Sequence, residues 1–310
     1  MASIILTTYF FIVLIFFIYS LQYKDKVDKI LAENFKISTF NALWLAYLEG
    51  LLIGGLSIYL ILLILMYKMK FYLAKLPVLS IIIFYLFCFI AAILYPGSEK
   101  EIINFKSDYY SFTHNFLSEL GCLKTNNDET NPEIVKVDNT TSMLLFNSGL
   151  ILIGFTISLF YLNFKKFFNY INDNNSCKKV SSLTSMTGFI AGLMFAGIGI
   201  FPGDVSYYWH VFFANGAFLL LFFVSIFHTI TIYLSNNITN IYSAGYLIFT
   251  ICLLFYVYLL FYGPQINAYT SYTEKQLMLQ VVSQKMIVIV FTLAMLSQVR
   301  VMNRFLNYRK

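Results

Sequence analysis

Hydrophobic positions run through this chain in long unbroken stretches, with neither the alternation of a strand nor the stripe of a soluble helix. Eight stretches, at 3–21, 41–66, 77–95, 143–163, 183–202, 207–234, 242–262 and 277–300, approach or exceed the length a helix needs to cross a bilayer, roughly 20 residues. They predict an all-α fold, a polytopic transmembrane helix bundle of about eight spans. The first stretch reads as a retained signal anchor. It is long for a cleaved leader, no basic segment precedes it, and no small-x-small site follows. The stretch 207–234 is longer than a bilayer requires, so it must tilt or protrude. Pro202-Gly203 stops one stretch and turns the chain into the next as a tight antiparallel hairpin. The predicted organisation is two additional N-terminal transmembrane helices in 1–76 and a six-helix membrane core in 77–310. The core carries a long outer loop, 96–142.

Composition strengthens this reading. Hydrophobic residues make up 59% of the 310 and charged residues 12%, against about 25% charged in soluble domains. A soluble enzyme, a disordered chain and a disulfide scaffold are excluded. The four cysteines at 88, 122, 177 and 252 show no metal-type spacing. Cys88 and Cys252 read as small core hydrophobes. Cys122 and Cys177 fall in loops on opposite sides, too far apart to pair.

The net charge of +6 suggests nucleic acid until the lysines are mapped. Lys68, Lys70 and Lys75, then Lys165, Lys166, Lys178 and Lys179, then Arg300, Arg304, Arg309 and Lys310 fall on one side of the bundle. That is the positive-inside pattern. It predicts an integral multi-pass protein with a cytoplasmic C-terminus and loop 96–142 outside or in a lumen. This loop holds four lysines against eight acids. Loop 22–40 runs against the pattern, with four lysines on the outer side.

Ionisable groups in hydrocarbon cost at least ~2.5–3.5 kcal/mol, so each asks for a partner or a role. Glu49 and Lys285 each lie about eight residues into a stretch, ~12 Å below the outer helix ends at 1.5 Å per residue. Equal depth allows an intramembrane Glu49–Lys285 ion pair, against separate snorkelling to the interface. A retinal Schiff base at Lys285 fits poorly, because no stretch holds a central Asp and only two Trp exist.

His210 and His228 share one stretch but lie near its opposite ends, so they cannot share a metal. His114, Ser118, Glu119, Asp204 and His210 all fall on the outer side and form a candidate polar cluster. His114, His210 and Asp204 could make a two-His, one-carboxylate metal site, and Ser118 with a nearby base a hydrolytic one. Against both stands a plainer reading. In it "HNFLSELG" at 114–121 is a re-entrant or interfacial helix, with Ser and Glu as ordinary capping residues. No His pair sits at i, i+4, so no metal or other cofactor is expected. Gly50, Gly54 and Gly55, and Gly188, Gly192, Gly197 and Gly199, read as close helix packing. Asn139-Thr140-Thr141 is a glycosylation sequon, placed too near the next stretch for use.

The motifs "LYPG", "HNFLSELG", "FNSGLILIGF", "GIGIFPGD" and "WHVFFANGAF" follow one another between 94 and 218. In this order they resemble an uncharacterised six-helix membrane family, the domain of unknown function 998, and more distantly the Frag/DRAM/Sfk group. The resemblance covers about 77–300. The E-R pair that family tends to carry on its last helix is replaced here by Ser283-Gln284-Lys285. The first two stretches have no counterpart. The resemblance implies an outer-facing polar cluster of His114, Ser118, Glu119, Gly121, Pro202, Asp204, His210 and Lys285, and no particular chemistry.

The function expected from these readings is lipid binding or membrane organisation through the outer cluster, with the bilayer and a lipid headgroup as partners. The alternatives are an intramembrane lipid hydrolase or transferase, an accessory subunit bound to other membrane proteins, and a transporter. No nucleic-acid partner is expected.

Overall fold

The computed structural model describes residues 69–266 and 269–308. The chain divides after Lys68 into two units, and every element below belongs to the second. The predicted spans 3–21 and 41–66, and Glu49 with them, lie outside the described residues.

Among the described residues six helices are long and apolar enough to cross a membrane. They are α1 (Leu76–Leu94), α2 (Thr140–Tyr170), α3 (Asn175–Ile200), α4 (Tyr207–Leu234), α5 (Ile241–Tyr262) and α6 (Glu274–Tyr308). A π-helical turn, Phe71–Lys75, leads into α1. Pro77 explains it: the ring has no N–H and crowds the carbonyl four residues back, and a widened turn accommodates both. Each helix packs on the next in sequence, and α6 also touches α1, which closes a ring. The ring has a loop end, where α1 runs into α2 through residues 95–139, and a lysine end.

Helix limits differ from the hydropathy limits where the chain leaves the hydrocarbon. The run 143–163 becomes Thr140–Tyr170, ~46 Å long against a ~30 Å hydrocarbon core. The excess carries Lys165 and Lys166 outward, both exposed. The runs 183–202 and 277–300 likewise grow to Asn175–Ile200 and Glu274–Tyr308. A helix ends where its backbone bonds end, and polar residues do not stop it.

The segment α2 is the most buried span. Its own Phe160, Tyr161, Phe164, Phe167 and Phe168 lie in a core cluster with residues of the neighbouring helices. Its closest neighbour is α3, and the small residues explain the approach. A Cβ on Gly192 would collide with the Ser158 backbone, and one on Gly188 with the Tyr161 ring. The Ser158 hydroxyl then reaches across to the Phe189 carbonyl at 2.9 Å. The predicted G-x-x-x-G pair is thus a packing surface. On α1, by contrast, Leu79, Ile82, Leu86, Phe89 and Ile93 form an exposed apolar stripe suited to lipid.

The loop-end cap holds a short antiparallel hairpin, β1 (Ser98–Lys100) with β2 (Phe105–Ser107). Gly97 enters it at φ +97°, where a side chain would strike Ser107 and Asp108. "HNFLSELG" is not an interfacial helix. It forms a turn and a 3₁₀ segment, Leu117–Gly121, because its backbone is held by side chains from outside it, among them Gln284 and Lys285 of α6 and Ser142 and Asn147 of α2. The sequon is closed as well: Asn139 is buried and its amide donates to the Cys122 carbonyl at 2.8 Å.

Candidate functional site

The polar residues singled out in the sequence lie at the loop end, but they form three separate groups. The first centres on Glu119, which reaches back from the 3₁₀ turn to the Phe116 N–H at 2.9 Å. The same carboxylate accepts from Lys100 Nζ at 3.1 Å, Asn115 Nδ2 at 2.7 Å and Tyr95 Oη at 3.3 Å. Lys100 is only 2% exposed, with Asp128 a second carboxylate at 3.9 Å. Burial pulls the Lys100 ammonium down, but Glu119 and Asp128 outweigh it and hold its pKa above the ordinary value. The Tyr95 hydroxyl is pushed up, first by burial and then by the Glu119 charge.

This group is fastened to α6 by Gln284 and Lys285. Gln284 Oε1 accepts from the Leu117 N–H at 2.6 Å, and its Nε2 donates to Ser118 Oγ at 3.4 Å. Lys285 Nζ donates to the Asn115 carbonyl at 2.5 Å. It also lies 5.3 Å from the Tyr110 ring centre and 5.0 Å from that of Phe112. Two aromatic faces and a carbonyl thus hold a lysine that is 4% exposed. No carboxylate among the described residues forms an ion pair with it. The Glu49 partner expected from the sequence lies outside the described residues.

The second group is Asp204, in the turn after α3. Its Oδ2 accepts from the Leu123 and Lys124 N–H groups at 2.8 and 3.0 Å and from Asn127 Nδ2 at 2.8 Å. It pins the cap to the α3–α4 turn. His210 stays close by but faces its own turn, with Nδ1 donating to the Phe201 carbonyl at 2.8 Å.

His114 makes the third group. Its ring stacks on Phe105 at 4.2 Å, and its Nε2 lies 3.0 Å from Glu274 at the start of α6. Nδ1 is 2.8 Å from Thr113 Oγ1. His114, His210 and Asp204 therefore have different partners. Among the described residues no three His, Cys, Asp or Glu side chains are placed to hold a metal ion. Ser118 Oγ meets an amide, not a base, so no nucleophile–base pair is assembled there.

Lys100, Asn115, Gln284 and Glu274 complete these groups and were not legible as partners. Lys100 and Glu274 are ordinary loop and helix-start charges in sequence. Gln284 could have been suspected, since it stands beside Lys285 in an apolar run.

A different feature has the form of a ligand site. Between α5 and α6 runs a groove of about 830 Å³. Cys252, Phe255, Tyr256, Met278, Val282 and Met286 are among its walls, and Lys275 stands at its loop end. Along α6 it extends from Lys275 to Val290, ~22 Å at 1.5 Å per residue. Tyr207, Tyr208 and Tyr262, each more than 70% exposed, ring the same end of the bundle, where interfacial aromatics belong.

Comparison with protein-family models, curated proteins and solved structures gives no match to this chain. The six-helix resemblance rests on its motifs alone.

Proposed function

We propose that this chain is a multi-pass membrane protein that binds an anionic lipid, with one acyl chain in the α5–α6 groove and the phosphate at Lys275. The groove carries this reading. Its walls are apolar, and two methionines give them an adaptable surface. Its ~22 Å length exceeds the ~15 Å depth of one hydrocarbon leaflet. Among the described residues Lys275 is the one charged residue lining it, a cation placed at the end where a headgroup would lie. In this reading the loop-end polar groups act by holding the cap, and headgroup contact falls to Lys275. The lysine end faces the cytoplasm by the positive-inside rule, which puts the bound lipid in the outer or lumenal leaflet.

A photoactivatable phosphatidylglycerol, with its reactive group midway along one acyl chain, tests this in reconstituted vesicles. Crosslinks are expected on α5 and α6 groove residues. Ser283→Trp, which fills the groove, should reduce them at least five-fold with unchanged helicity. Lys275→Glu should weaken the anionic probe and leave a phosphatidylcholine probe unaffected. Crosslinks spread evenly over α1 and α5–α6, indifferent to Ser283→Trp, would refute the site.

A further inference from the structure

At the lysine end, the turn between α4 and α5 and the last turns of α6 border a cavity of about 340 Å³. Val301, Arg304 and Phe305 share one face of α6 and form one wall. Asn237, Thr239 and Tyr242 stand on the other. Both walls are held in place. Nearer the bundle centre, Gln298 Nε2 donates to the Tyr242 carbonyl at 2.6 Å and clamps α6 to α5. The Ser235 hydroxyl donates to the Asp173 carboxylate and accepts from the Asn237 and Ile238 N–H groups at 3.2 and 3.1 Å, which fixes the turn. Phe305 packs edge-on against Phe167 at 6.2 Å.

The charge in this cavity is uncompensated. Among the described residues Arg304 is the one charged residue lining it. Neither its guanidinium nor the Thr239 hydroxyl has a hydrogen-bond or ion-pair partner among them. Asp173 is the one acid in the described loops and helix ends of this side. It is 3% exposed, and its carboxylate is spent on Ser235 and on the Asn236 and Asn174 N–H groups. The start of α5 adds the positive end of a 22-residue helix that no side chain caps. Lys165, Lys166, Lys178 and Lys179 make the surrounding potential positive.

A free guanidinium, a hydroxyl and an amide around one cavity are the donors that a phosphate uses, and arginine can meet it with two parallel N–H bonds. We propose that this cavity binds a phosphate group, held by Arg304 and Thr239 between α6 and the start of α5. Depth fits a phosphate at the membrane surface. At 1.5 Å per residue Arg304 lies ~44 Å along α6 from Lys275, which matches the ~40–45 Å thickness of a bilayer with its headgroups. The site stands at the opposite end of α6 from the Lys275 end of the groove and does not rest on the groove's being a lipid site.

Solid-state NMR of the full chain, isotopically labelled at the arginine nitrogens, tests this in vesicles of digalactosyldiacylglycerol, a lipid without phosphorus. The chain has three arginines, so Arg300→Lys with Arg309→Lys leaves the Arg304 signal alone. Inorganic phosphate is added in one arm, and phosphatidic acid is mixed into the vesicles in the other. The expected result is nitrogen–phosphorus dephasing at the Arg304 guanidinium. Dephasing with phosphatidic acid alone assigns the site to a lipid headgroup, and dephasing with inorganic phosphate assigns it to the free anion as well. Thr239→Asp, which sets a carboxylate in the cavity wall, should reduce the dephasing at least five-fold while the helices persist. No dephasing in either arm would overturn the proposal. So would equal dephasing at Arg300 in the Arg304→Lys, Arg309→Lys protein, or dephasing indifferent to Thr239→Asp.

Discussion

Lys100 without Glu119 would be a buried ammonium facing only a distant Asp128. Breaking a buried pair from one side costs about 3–5 kcal/mol. Glu119→Ala should therefore lower the unfolding midpoint in a thermal melt, well beyond a surface control such as Glu133→Ala. The pH dependence has a definite sign. Because the Lys100 pKa is raised on folding, its contribution is complete below the ordinary lysine value of 10.5 and fades only as pH climbs through the raised one. Protease resistance of the cap should hold through neutral and mildly alkaline pH and fall only in strong alkali; loss near neutrality would contradict the pairing. At the lysine end Asp173 behaves oppositely. Burial alone would raise its pKa, but Ser235, the Asn236 and Asn174 N–H groups and Asn237 together hold it below 3.8. Its contribution is present above that value and disappears as pH falls through the lowered one. Asp173→Asn should cost stability at pH 7 and progressively less as pH falls through the acid range below 3.8.

Lys285 joins a residue to an element. A charge inside an apolar run was plain in the sequence, but its partners were not. A backbone carbonyl and the faces of two rings leave no signature in a pattern of residue types, since Asn115, Tyr110 and Phe112 look like any loop residues. For the same reason His114, Asp204 and His210 looked like one cluster. All three lie at the loop end, yet each is turned toward a different partner: Glu274 for His114, the Leu123 and Lys124 N–H groups with the Asn127 amide for Asp204, and the Phe201 carbonyl for His210. Which end of the bundle a loop occupies is legible from hydropathy; side-chain direction within a loop is not. Lys285→Met should release the Asn115 segment from α6. Limited proteolysis within 96–139 should then rise several-fold while the six helices persist. The tightest element pair is equally testable. Gly192→Leu forces a side chain into the Ser158 backbone, and overpacking of this kind costs about 1–3 kcal/mol or more. A lower denaturation midpoint, with α2 and α3 the first to lose exchange protection, is the expected outcome.

The described helical unit follows from hydropathy more directly than from any polar motif. Among the described residues six apolar runs became six helices, consecutive helices became neighbours, and the 96–142 stretch lies at the opposite end of α2 from Lys165 and Lys166. What hydropathy could not supply was the groove, because the apolar runs of α5 and α6 do not say which of their faces part. The groove makes the lipid-binding account depend on shape, so an image of the protein in lipid is its most direct test. A density map in a phosphatidylglycerol nanodisc is expected to show one continuous acyl chain between α5 and α6, from Lys275 to Val290, with phosphate density at the Lys275 ammonium. A map with α5 and α6 closed on each other, or with protein side chains filling that space, would contradict the account.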